Sequence, residues 1–213
     1  MQSIAVIDYG ASNLRSVSKA LSYVADKHSQ IIVSDKAEEI FAADKIVFPG
    51  QGAMGQCMTS LSEKGLDKVL LECVNNKPFL GICLGLQSLM QESEENECTP
   101  GLGIIPGRVV KFTISKQQTK KSVFKIPHMG WNSVAQEKPH TLWKGIESEA
   151  RFYFVHSYYV VPDEKKDIVA TSDYVVDFTA AVARDNLFAT QFHPEKSQQA
   201  GLTLLSNFLN WNP

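Results

Sequence analysis

The sequence predicts an α/β fold, a mixed central sheet flanked by helices, in a single domain spanning residues 1–213. Two observations carry that expectation. In the first half, short β-branched runs alternate with amphipathic stretches, the signature of parallel strands joined by right-handed helical crossovers. In the second half, strand-like runs follow one another across short turns, which suits antiparallel or mixed pairing. No repeat, low-complexity segment or linker divides the chain.

Residues 4–7 read as the first strand. From Asn13 to Val24, the apolar Leu14, Val17, Ala20, Leu21 and Val24 recur at helical spacing. Residues 31–33 form a second strand, 36–41 a short helix, and 46–48 a third strand ended by Pro49-Gly50. Residues 66–74 are helical and 78–82 a strand, after which Leu86, Leu89 and Met90 read as a helical run. Further strands are expected over 108–114, 122–126, 152–155, 158–161, 168–171, 180–184 and 187–191. A last helix over 202–211 sets Leu202, Leu205, Phe208 and Leu209 on one face.

The length suits one well-buried domain. A formal net charge of −2 with 21% charged residues gives no electrostatic reason to expect nucleic acid. Lys116, Lys120, Lys121 and Lys125 are the only basic concentration, and read as a solvated hairpin before a phosphate or partner patch. No apolar run approaches bilayer length, and the start Met1-Gln2-Ser3 lacks the features of a signal peptide, so a cytoplasmic protein without membrane contact is expected. The four cysteines (Cys57, Cys73, Cys83, Cys98) form no CxxC pair and are expected as free thiols.

One of them sits in a chemical context. Gly81-Ile82-Cys83-Leu84-Gly85 follows an apolar strand and precedes a helical run, the setting of a nucleophile elbow. Small flanking residues are needed because a Cβ would clash in so tight a turn, and a helix start favours a thiolate. The other reading is a buried structural cysteine beside packing glycines. Gln191-Phe192-His193-Pro194-Glu195 weighs against it. A thiolate nucleophile needs a base and proton donor, and that base needs a carboxylate to orient it. His193 and Glu195, at i and i+2, are expected on the same side of an extended segment. A zinc deaminase would need a later P-C-x-x-C, and no cysteine follows Cys98, so neither metal nor cofactor is expected.

The elbow GICLG paired with a late FHPE resembles the class I glutamine amidotransferases. Ile7-Asp8-Tyr9-Gly10, Pro127 to Asn132 (PHMGWN) and Phe152 to Tyr158 (FYFVHSY) are similar to HisH-type glutaminase subunits of imidazole glycerol phosphate synthase. The resemblance covers essentially the whole chain and implies the class I glutamine amidotransferase fold. It implies glutamine hydrolysis, with ammonia passed to a HisF-type (β/α)8 cyclase subunit in a heterodimer of histidine biosynthesis. That subunit makes imidazole glycerol phosphate and a carboxamide ribotide (AICAR). By the same resemblance Cys83 is the nucleophile, His193 the proton carrier and Glu195 its orienting carboxylate. Leu84 supplies one backbone oxyanion donor, and Gly50, Gln51 and Gly52 form the strand supplying the second. Gln87, Glu95, Ser157 and Tyr158 hold the glutamine, and Tyr9, Asn13, Met129, Trp131 and Asn132 form the partner face.

Without the family these residues are ambiguous. Gln87 could be a site residue or simply exposed. Glu95 lies in an acidic run with Glu92, Glu94 and Glu97, which reads as a solvated face. Trp131, expected in a loop, fits a partner contact or core packing, and His128 and His156 read as structural. Gln51 stands where the family commonly has Val. Gly50 is expected to let the Gly50-Gln51 peptide turn its N–H into the oxyanion hole. Two competing functions stay open: the glutaminase of a related pathway such as surface-polysaccharide synthesis, and a catalytically inactive regulatory subunit. The I-D-Y-G and P-H-M-G-W-N segments argue against vitamin B6 and aminobenzoate pathways.

Overall fold

Strand β1 (Gln2–Ile7) is apolar at every position from Ile4 to Ile7, the pattern of a strand covered on both faces. Ile4 and Val6 enter one core, Ala5 and Ile7 another. The computed structural model describes residues 1–96, 98–114 and 124–213. Helix α1 (Leu14–Val24) leads to β2 (Ser29–Ser34), α2 (Ala37–Ala42) to β3 (Lys45–Gly50), and α3 (Met54–Glu63) with α4 (Leu66–Asn76) to β4 (Phe79–Cys83). After α5 (Leu84–Gln87) come β5 (Met90–Ser93), β6 (Thr99–Pro100), β7 (Ile105–Lys111), β8 (His128–Gln136), β9 (Ala150–His156) and β10 (Tyr158–Pro162). Strands β11 (Ile168–Asp173), β12 (Asp177–Arg184) and β13 (Leu187–Thr190) precede α6 (Gln198–Asn210).

The main sheet runs β2-β1-β3-β4-β13-β12-β11-β8-β9. Its first five strands are parallel and the rest pair antiparallel, so the change of pairing expected between the halves of the chain occurs within one sheet. A smaller sheet runs β10-β7-β5-β6. Helices α1 and α6 cover one face through Val17, Leu21, Leu205 and Phe208; α2, α3 and α4 cover the other through Ile40, Leu61 and Leu70. The carboxyl ends of β3, β4 and β13 lie side by side, with Gly50 in register with Cys83 and Thr190 with Ile82. In open α/β sheets that edge is where sites form. Among the described residues no helix is long and apolar enough to cross a membrane.

Several elements differ from expectation. Helix α3 was not foreseen. Its buried Met54, Cys57 and Leu61 keep helical spacing, but Gly55 and the Ser/Thr positions between them dilute the pattern. The helical run through Met90 stops at Gln87, and Met90 instead opens β5, paired with Ile105. Trp131 lies in β8, not in a loop, because residues 128–134 pair with β9 throughout. The strand expected over 122–126 falls partly outside the described residues, and residues 124–126 are not in a strand. Lys116, Lys120 and Lys121 also lie outside them; Lys125 is exposed, its backbone bonded to the Tyr174 hydroxyl.

Candidate active site

Cys83 ends β4 and immediately precedes α5, and this abrupt change of direction gives it φ 54° and ψ −104°. A non-glycine residue rarely adopts a positive φ, and such strain persists only where the surroundings enforce it. Here the enforcement is close packing of α5 on β3. A Cβ on Gly85 would overlap the Phe48 carbonyl, and one on Gly81 would stand 2.9 Å from Ala189 Cβ. Leu84 is the first residue of α5, beside the sulfur.

His193 follows β13 in extended conformation, and its Nδ1 lies 2.8 Å from Glu195 Oε1. The intervening chain is not extended as expected: Pro194–Lys196 is a 3-10 turn, which brings the carboxylate back onto the ring. Both side chains are fully buried. Burial by itself would lower the His193 pKa, but the Cys83 sulfur, and after it Glu195, outweigh burial and hold it at about 10. His193 therefore carries a proton at neutral pH and can deliver it to a leaving group.

A cleft of about 270 Å³ opens over the sulfur. Gln51 and Gly52 form one wall, Leu84, Gln87 and Glu95 another, and Val155, His156, Ser157 and Tyr158 a third, with Pro127 beside them. Gln87 is buried rather than exposed, and its Nε2 donates to the Tyr158 carbonyl at 3.0 Å and to Gln191 Oε1 at 3.1 Å. Glu92 and Glu94 are exposed as the acidic run suggested, but Glu95 is half-buried and accepts from the Met54 backbone N–H at 2.6 Å, at the start of α3. In the segment expected to supply an oxyanion donor, Gly52, not Gly50, holds a positive φ, at 99°. Gly50 is required for space instead, since a Cβ there would meet Tyr9 Oη at 2.6 Å and Leu84 Cβ at 2.8 Å.

Other thiols are unsuited to attack. Burial pushes Cys57 up to about 11 and raises Cys73, while a hydrogen bond to Glu92 raises Cys98. His128 and His156 form a buried pair, Nδ1 to Nε2 3.0 Å, and burial pushes them down to about 4 and about 3. Of the residues expected at a partner face, Met129 and Trp131 are 62% and 37% exposed, and Asn132 is half-buried. Tyr9 and Asn13 are buried, so their side chains offer a partner little surface in this structure: Tyr9 packs edge-on against Phe48, and Asn13 is tucked in at the start of α1. Sequence reading did not single out Gln191, which is fully buried with its Nε2 3.6 Å from Cys83 Sγ. The available signal was a lone amide between an apolar strand and the histidine.

The family model for "Glutamine amidotransferase class-I" matches residues 5–211. An imidazole glycerol phosphate synthase subunit HisH from Nitrosomonas europaea is 56% identical over the full length of both chains. The same-named subunit from Nitrosococcus oceani is 54% identical over 100% of this chain and 99% of its own. A solved glutamine amidotransferase aligns over 97% of each chain with a TM-score of 0.68 and 16% identity, a likeness of fold.

Proposed function

This chain belongs to the class I glutamine amidotransferases, in the HisH subunit family, and from that premise we propose that Cys83, His193 and Glu195 hydrolyse glutamine within imidazole glycerol phosphate synthase. The observation that carries the proposal is a strained, cleft-facing Cys83 beside a buried, protonated His193 that Glu195 orients. The sulfur attacks the side-chain carbonyl carbon of glutamine, and the carbonyl oxygen becomes an oxyanion facing the Leu84 N–H. His193 Nε2 gives its proton to the nitrogen, the C–N bond breaks and ammonia leaves. His193 then takes a proton from water as the water attacks the thioester, releasing glutamate and the sulfur. Glu195 keeps the proton on Nδ1 throughout and stabilises the imidazolium.

Gln87, Glu95, Ser157 and Tyr158 would hold the glutamine, since they line the cleft around the sulfur. The ammonia would pass to a HisF-type (β/α)8 cyclase subunit docked over Met129, Trp131 and Asn132. Four free cysteines suit a reducing, cytoplasmic setting. Full-length identity to HisH subunits favours histidine biosynthesis over a surface-polysaccharide pathway, and the complete triad weighs against an inactive subunit. The test is glutamine turnover in the complex with the cyclase. Cys83→Ala should abolish it while added ammonia still supports synthesis; persisting turnover in that variant would refute the assignment.

A further inference from the structure

Gln191 lies just past β13, its backbone N–H bonded to the Ala180 carbonyl at 2.8 Å and its side chain fully buried. The amide belongs to a hydrogen-bonded chain whose polarity is set at one end. The Tyr158 carbonyl can only accept, so His156 Nδ1, 2.8 Å away, and Gln87 Nε2, 3.0 Å away, both donate to it. With Nδ1 protonated, the neutral His156 must accept at Nε2 from His128 Nδ1, which holds the ring in place. Gln87 Nε2 has its second hydrogen free for Gln191, so the Gln191 oxygen faces Gln87 at 3.1 Å. That leaves the Gln191 –NH2 facing Cys83 Sγ at 3.6 Å. A flipped Gln191 would set two –NH2 groups against each other and lose both bonds.

We propose that Gln191 is a positioning residue for Cys83, its amide N–H holding the sulfur over the elbow and stabilising negative charge there. The inference rests on Cys83 being the nucleophile. An N–H directed at a sulfur favours its charged form, and in a buried site water does not screen the interaction. The geometry also answers a need of the elbow. A strained backbone fixes the Cα of Cys83, while the sulfur at the end of its own rotatable bond requires a separate hold. His193 cannot serve alone, because it must release its proton during the reaction.

The experiment measures alkylation of Cys83 by iodoacetamide, resolved by peptide mass spectrometry, across neutral to alkaline pH with no glutamine present. It therefore reads the sulfur directly, while the Cys83→Ala turnover assay above tests the underlying assignment separately. Gln191→Met keeps the length and removes the donor. Alkylation near neutral pH should slow about tenfold or more, and the gap to wild type should close in strong alkali, where thiols in general are thiolates without a donor's help. In the complex kcat should fall by more than KM rises. Gln87→Met, which frees the Gln191 amide to turn, should give a smaller loss in the same direction. Gln191→Glu retains the size with a carboxylate at the sulfur and should react more slowly than Gln191→Met near neutral pH. A wild-type pH profile in Gln191→Met would overturn the proposal, as would an equal slowing at every pH, which marks a packing defect. A Gln191→Glu variant reacting as fast as wild type would also overturn it.

Discussion

His193 Nδ1 and Glu195 Oε1 are 2.8 Å apart, with both side chains sealed from solvent. The pair is made by a single 3-10 turn, so it is a local structure held in a buried place. Glu195 Oε2 and His193 Nε2 are buried with no hydrogen-bond partner among the described residues other than the Cys83 sulfur, which acts on the His193 ring. Glu195→Gln keeps the shape and removes the charge. Glutamine hydrolysis should fall by a factor on the order of 10²–10⁴, the range for losing positioned acid–base catalysis. Steady-state kinetics of the complex would check this, and retention of near-full kcat would remove Glu195 from the mechanism.

The same pair predicts a pH dependence of stability. His193 is buried, which opposes its charge, yet Cys83 and Glu195 hold its pKa at about 10 against an ordinary 6.5. A group raised on folding adds stability that is complete below its unfolded value and fades as pH climbs to the folded one. The melting temperature gap between wild type and His193→Gln should therefore be widest below about pH 6.5 and narrow toward pH 10. A gap that widened in alkali would mean that folded His193 is neutral.

Trp131 stands 37% exposed on β8, edge-on to Tyr153 at 6.1 Å, with Met129 62% exposed two residues before it. Trp131→Ala should weaken association with the cyclase subunit by roughly 2 kcal/mol, the scale of an interfacial aromatic anchor. The isolated subunit's melting should change little, since the ring is not in the core. Calorimetric titration returning the wild-type affinity would assign Trp131 to free surface.

Gln51 lies between Gly50, where a side chain would collide with Tyr9 and Leu84, and Gly52 at φ 99°. For Gln51 to supply the second oxyanion donor, the Gly50-Gln51 peptide must turn its N–H toward the oxyanion. Gln51→Pro deletes that donor. The variant should fold, bind its partner and alkylate at Cys83, yet lose roughly 10²–10³ of the glutamine hydrolysis measured in the complex. Full hydrolysis in the proline variant would place the second donor elsewhere.

Local geometry explains what was legible before folding. The elbow depends on a strand, a Cys and a glycine within a few residues, so GICLG specified it; the β-branched run at β1 and the apolar spacing of Val17 and Leu21 likewise announced their elements. Helix α3 was obscured because Gly55 and its hydroxyl residues prefer other conformations when alone, and only packing of Met54, Cys57 and Leu61 against the sheet makes them helical. Strand β8 carries one fully buried aliphatic residue, Val134, so its pattern was too polar to announce a strand that pairing with β9 and β11 creates.

The sequence by itself therefore determined the parallel-then-antiparallel order of strands, the strand-to-helix turn at Cys83 and the pairing of His193 with Glu195 two residues on, since each depends on short-range backbone geometry. Only the tertiary structure decided that Gln87 is buried and bonded to Tyr158, 71 residues away, and that Gln191 reaches Cys83, 108 residues away. It likewise decided that Tyr9 and Asn13 are covered while Trp131 stays exposed. Those outcomes depend on which strands become neighbours and on how the two sheets meet. A side chain's partners are set by the residues that β4 and β13 of the main sheet and β10 of the smaller one bring together around one cleft, and nothing in a local stretch encodes that meeting.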